Sequence, residues 1–221
     1  MRAHPRRLRA QVLLAAGLAL LPLLTRAAGT PLDAYLDNLK TLRASFLQTL
    51  ADPHGREIDR ATGTLIVARP GKFSWDIHPQ GPTGTATGEG QLMVCDGTNL
   101  WFFDRDLKQV TVKPVDSALS ATPAMLLSGT ADLRQNFKLS AAGSRLGLEW
   151  VLAEPVAPDA DFRSALFGFA NGELKRMIVE DKLGQTATII FDRVTRNAAV
   201  APAEVSFSPP KDADVIGVPH P

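Results

Sequence analysis

The 221-residue chain carries 24 Lys and Arg against 23 Asp and Glu, 45% apolar residues and one cysteine. Such a balance lacks the basic surface that phosphate backbones require, which excludes nucleic acid as a natural partner. One cysteine also excludes an internal disulfide framework.

The first element is an export signal. Arg2, Arg6, Arg7 and Arg9 precede an apolar run from Val12 to Leu24, too short for a spanning helix of about 20 residues. Thr25-Arg26-Ala27 then supplies small residues at the −3 and −1 positions of a cleavage site. Residues 1–27 are therefore expected to be removed, leaving 28–221 as one domain. No Cys follows the apolar run, so a lipid anchor on the chain itself is not expected. Five arginines leave with the signal and no acids do. The remaining 19 basic and 23 acidic residues give a net charge of −4, without a polybasic patch for a membrane surface.

Thr30-Pro31-Leu32-Asp33 has a helix start, with Thr30 as cap, Pro31 in the first turn and Asp33 completing a capping box. Leu32, Tyr35, Leu36 and Leu39 follow helical spacing. From Leu42 a period of two is readable, although a helix continuing to Leu50 competes with it. Strands are expected over Ala61–Ala68, Lys72–Ile77, Gln91–Cys95, Asn99–Asp104 and Leu107–Lys113, joined by turns such as Asp96-Gly97. Thr122 and Pro123 open a short apolar helix, Ala124-Met125-Leu126-Leu127, that ends at Gly129. At two turns it needs a surface to lie on. Another helical turn is expected at Asp132–Arg134. Strands resume at Phe137–Ala141, Arg145–Ala153, Arg163–Phe169, Glu173–Asp181 and Thr186–Arg193, and the last apolar stretch is Glu204–Phe207. About ten short strands with few helices predict a mainly β fold of α+β type: an antiparallel barrel, or a strongly curved sheet.

Catalytic and metal constellations are not found. His54, His78 and His220 lack metal-ligand spacing, and no Ser or Cys nucleophile has an evident base. No phosphate-cradling glycine loop precedes a helix. The chain therefore reads as a non-enzyme without cofactor or metal. Cys95, within Leu92-Met93-Val94-Cys95, is expected to be a buried small hydrophobe. The remaining signal is aromatic. Phe73, Trp75, Trp101 and Phe103, with Met125 and Leu126, either fill a core or line a hollow for an apolar ligand, and a barrel of this size permits both.

Several short motifs, taken in order, resemble one known family. Ala44-Ser45-Phe46-Leu47-Gln48, then Gly63 and Leu65, then Arg69-Pro70 with Phe73 and Trp75, make up the first part. Asp96-Gly97 with Leu100-Trp101, Asp106-Leu107 with Gln109-Val110, and Thr122-Pro123 with Met125-Leu126-Leu127 follow. Asp181, Gly184, Gln185 and Thr188, and finally Phe207-Ser208-Pro209-Pro210, complete the series. Together they resemble the periplasmic lipoprotein carriers of the LolA family. The resemblance implies an incomplete antiparallel β-barrel covered by a short helical lid. It further implies a monomeric periplasmic chaperone that shelters the acyl chains of lipid-modified lipoproteins in a vacant apolar chamber. Its implied partners are the inner-membrane ABC transporter that releases lipoproteins and an outer-membrane acceptor of the LolB type, itself a lipoprotein. Leu65, Phe73, Trp75, Trp101, Phe103, Met125 and Leu126 would line the chamber. Arg69 would hold the lid by backbone carbonyls near Met125 to Leu127. Related readings are a carrier of free lipid or glycolipid, and a lipid-sensing envelope regulator. In this chain Ala124 stands where an aromatic is common in the family's lid.

Overall fold

The computed structural model describes residues 29–115, 122, 124–129, 133–158 and 160–221. The expected signal segment, Pro123 and Asp132 lie outside the described residues. Helix α1 (Pro31–Asp37) starts as its sequence dictates: Asp33 donates its backbone N–H to the Thr30 hydroxyl at 3.3 Å, and Thr30 returns its own N–H to the Asp33 carboxylate at 2.7 Å. The helix ends before Lys40, and Thr41 opens a strand, so the competing helical reading of Leu42 to Leu50 is overturned. Alternate burial of Leu42, Ala44 and Phe46 is the physical reason: one face is apolar with period two.

Twelve strands form one sheet: β1 (Thr41–Ala51), β2 (Glu57–Ala68), β3 (Lys72–Pro79), β4 (Gln91–Asp96), β5 (Asn99–Asp104), β6 (Gln109–Pro114), β7 (Phe137–Arg145), β8 (Leu148–Pro155), β9 (Phe162–Ala170), β10 (Glu173–Asp181), β11 (Thr186–Arg196) and β12 (Asp214–Ile216). The order is β12-β6-β5-β4-β3-β2-β1-β11-β10-β9-β8-β7. Among the described residues, only the β12–β6 pair is parallel. The described chain between β6 and β7 holds two short helices, α2 (Ala124–Ser128) and α3 (Leu133–Asn136). The fold is therefore mainly β, an open sheet with free ends at β12 and β7, as expected.

The sheet curves around its helices. α1 packs on β8, while the carbonyl of its Leu36 accepts a hydrogen bond from Arg69, just past the end of β2. In a flat sheet β2 and β8 would stand about 24 Å apart, five strand spacings, whereas a seven-residue helix is about 10 Å long. Bending the sheet brings both ends of the span within reach. The main core fills this concave side: Leu65, Phe73 and Trp75 from the sheet, Leu32, Tyr35 and Leu36 from α1, and all five residues of α2 but Ser128.

The C-terminal half adds two elements and corrects one boundary. The apolar stretch Glu204–Phe207 runs from a short 3-10 helix, Pro202–Val205, into extended chain. β12 is an added strand whose three exposed residues carry no alternating pattern. Arg145 ends β7 rather than opening the next strand, because Leu146 and Gly147 make the turn with φ of 54° and 72°.

Candidate functional site

The site is built on the concave faces of β2 to β5. Trp75 lies opposite Leu65 on β2 and Met93 on β4, and Phe73 lies opposite Val67 and Cys95. The Trp75 ring meets Phe46 edge-on, with centroids 5.7 Å apart. Over this surface lies α2, whose Ala124, Met125, Leu126 and Leu127 are at most 2% exposed. So short a helix has little stability of its own, and the sheet beneath supplies it.

Among the described residues, polar contacts tie both ends of α2. The Thr122 hydroxyl accepts the N–H of Ala124 at 3.3 Å, which is the cap its sequence suggested. The N–H of Gly71 donates to the carbonyl of Ser128 at 2.9 Å, and the Ser128 hydroxyl donates to the Met125 carbonyl at 2.9 Å. The Cys95 thiol donates to the carbonyl of the same Gly71 at 3.0 Å. Burial pushes that thiol above its ordinary range.

Arg69 sits where α1, α2 and the β2–β3 turn converge. Its Nη1 donates to the Leu36 carbonyl in the last turn of α1, which also accepts the Leu39 N–H at 3.2 Å. Its guanidinium also covers Gly129, just after α2, so closely that a Cβ there would stand 2.4 Å from Nη2. Burial draws the Arg69 pKa down, opposed by the charge of Asp37. Among the described residues, the partner of Arg69 is therefore α1 and not the carbonyls of Met125 to Leu127. Contact with α2 comes through Gly129.

The expected lining set divides between the two faces of the sheet. Leu65, Phe73, Trp75, Met125, Leu126 and Leu127 share the concave cluster. Trp101 and Phe103 are on the convex face, in a second cluster with Val94, Val110 and Val112. There Phe207 covers both rings at centroid distances of 5.6 and 5.8 Å. Asp96 fixes this parity by accepting the Trp101 indole N–H at 2.7 Å together with the N–H groups of Thr98 and Asn99. Leu100 and Phe102 face inward instead, and the sequence alone could not choose between the two sets because both are apolar.

The concave side is also fuller than expected. α1 and α2 share the concave core with the sheet, and a partly open pocket of about 250 Å³ is lined by Met93, Leu100, Phe102, Thr111, Lys113 and Asp161. Met93 and Phe102 were not anticipated there. Their signal was the strand register, which sets Met93 beside both Trp75 and Phe102.

The comparisons agree with this arrangement. A family profile described as "Outer membrane lipoprotein carrier protein LolA" matches residues 37–208. An outer-membrane lipoprotein carrier protein of Dechloromonas aromatica is 40% identical over 208 residues, covering 94% of this chain and 96% of the relative. One from Chromobacterium violaceum is 39% identical over 190 residues, covering 86% and 87%. Among solved structures, an uncharacterized conserved protein of Thermus thermophilus superposes with a TM-score of 0.51 at 15% identity, covering 84% of this chain and 96% of that one. That last likeness concerns the fold alone.

Proposed function

This chain belongs to the LolA family of outer membrane lipoprotein carrier proteins, and on that premise we propose that it shelters lipoprotein acyl chains beneath α2. It is a lipoprotein carrier. The carrying observation is α2, whose Ala124, Met125, Leu126 and Leu127 are buried in the same apolar cluster as Leu65, Phe73 and Trp75. Loading displaces α2 and α1 from the hollow, and the acyl chains take the same surface.

The energetics suit a shuttle. An acyl chain of about fifteen methylenes gains roughly 12 kcal/mol on burial, before ordering costs. Withdrawing Met125, Leu126 and Leu127 forfeits about 1.5–3 kcal/mol each. Cargo thus replaces one apolar contact by another, and the net grip stays far below the gross figure. Such a carrier takes lipoproteins in the periplasm from an inner-membrane transporter and yields them to an outer-membrane acceptor, without chemistry of its own.

Release of radiolabelled lipoprotein from spheroplasts, with and without the purified protein, tests this reading. Soluble lipoprotein should appear only when the protein is added and should copurify with it. Arg69→Leu should retain the fold and change release or onward delivery. Copurification of free lipid without acylated protein would refute the lipoprotein reading.

A further inference from the structure

Trp75 carries the one unpartnered indole N–H of the chain. The sequence has three tryptophans, Trp75, Trp101 and Trp150. Trp101 donates to Asp96 at 2.7 Å and Trp150 to the Arg145 carbonyl at 3.2 Å. Trp75 Nε1 is buried and has no acceptor among the described residues. Its neighbours Leu65, Met93 and Phe46 are apolar, and α2 packs on β3 above it with apolar side chains. A buried donor without acceptor is costly and rare in a settled core, so its persistence calls for a reason.

The surroundings define the missing acceptor. It must come with an apolar body, since the cross-strand partners of Trp75 and the ring against it are apolar. It must also be neutral, since an anion would be desolvated there without a counter-charge. Arg69 lies four residues beyond Leu65, about 13 Å along the strand, and Lys113 lies on β6, three strands from β3. An acyl carbonyl, ester or amide, is the neutral acceptor that every acyl chain brings. We propose, resting on the carrier reading above, that Trp75 Nε1 donates to a carbonyl of the cargo's acyl groups. This makes Trp75 a specificity residue that recognises acyl rather than plain alkyl chains. The pocket lined by Met93, the strand partner of Trp75, gives the adjoining hydrocarbon a place to start.

The test compares a dipalmitoylglyceryl-cysteine lipopeptide with its dihexadecyl ether counterpart, which has the same chains but no carbonyls. Binding is measured by displacement of a fluorescent apolar probe from wild type and Trp75→Phe. Wild type should prefer the ester roughly 3- to 10-fold, and the variant should bind both within about twofold. In isotope-labelled wild type, the Trp75 indole N–H resonance should move downfield with the ester alone. That measurement decides the matter if the variant fails to fold. Equal wild-type affinities with equal Trp75 shifts would overturn the proposal and leave the carrier reading intact. Binding of neither lipopeptide would remove both.

Discussion

Asp96 shows how one side chain sets which face of a strand turns to the concave side. Burial alone would push its carboxyl up, but the N–H groups of Asn99 and Thr98, the Trp101 indole and Lys72 outweigh it and hold the pKa below the ordinary range. A depressed native pKa contributes stability above the unfolded value, near 3.9, and that contribution is lost as pH falls through the lower native value. Asp96→Asn should therefore cost about 1–3 kcal/mol at neutral pH, because one amide oxygen cannot serve three donors. In urea titrations the gap to wild type should shrink below about pH 4. A gap that does not change with pH would contradict the assignment. Gly129 is the matching case at the latch. Its φ of +67° and the Arg69 guanidinium over it leave no room for a methyl group. Gly129→Ala should lose about 1–2 kcal/mol from the backbone alone and dislodge Arg69 from the Leu36 carbonyl. Limited proteolysis around α2 should then quicken more than the lowered stability explains.

Among the described elements, α2 differs most from its surroundings: five residues, four of them buried apolar side chains packed in the concave cluster. The β1–β2 and β1–β11 ladders, by contrast, are eleven and nine residue pairs long. Local opening follows such differences. Amide exchange in α2 should be at least about a hundredfold faster than at the centre of β1, and acyl ligand should accelerate it further. Equal protection of the two would mean that α2 is fixed core. This element was legible in the sequence because Thr122, the apolar run and Gly129 are local signals. The strand pattern was legible too, wherever one face alone is apolar, as in Lys72 to Ile77. Leu100 to Phe103 failed that test, because both faces are apolar and only Asp96 and Phe207, one of them about a hundred residues away, divide them. The filling of the hollow was also hidden. Apolar residues in α1 and α2 read the same whether they cap a chamber or occupy it.

At the scale of the molecule, an open sheet has two edges to protect. One edge, β7, carries a register shift between Ala141 and Ser144, which interrupts a regular pairing template. The other would be β6, but β12 lies along it in parallel. Asn99, only 4% exposed, clasps the end of this segment by accepting the His220 N–H at 2.7 Å and donating to the His220 carbonyl at 3.0 Å. Gly217 is required for the closure, because a Cβ there would lie 2.3 Å from the Val112 carbonyl. Val215, Ile216 and Val218 are exposed and add little burial, so the segment protects by pairing and not by packing. Truncation after Pro209 keeps Phe207 on Trp101 and Phe103 while baring β6. Its circular dichroism should stay that of the full chain, and its denaturation midpoint should fall by the worth of the Asn99 bonds and the short ladder, about 2–3 kcal/mol. Sedimentation velocity should show self-association that grows with concentration, through pairing of β6 edges. Gly217→Val in the full chain should reproduce that association in weaker form, since it displaces β12 without removing it. If both variants sediment as the full chain does at every concentration, β12 is not what guards the edge.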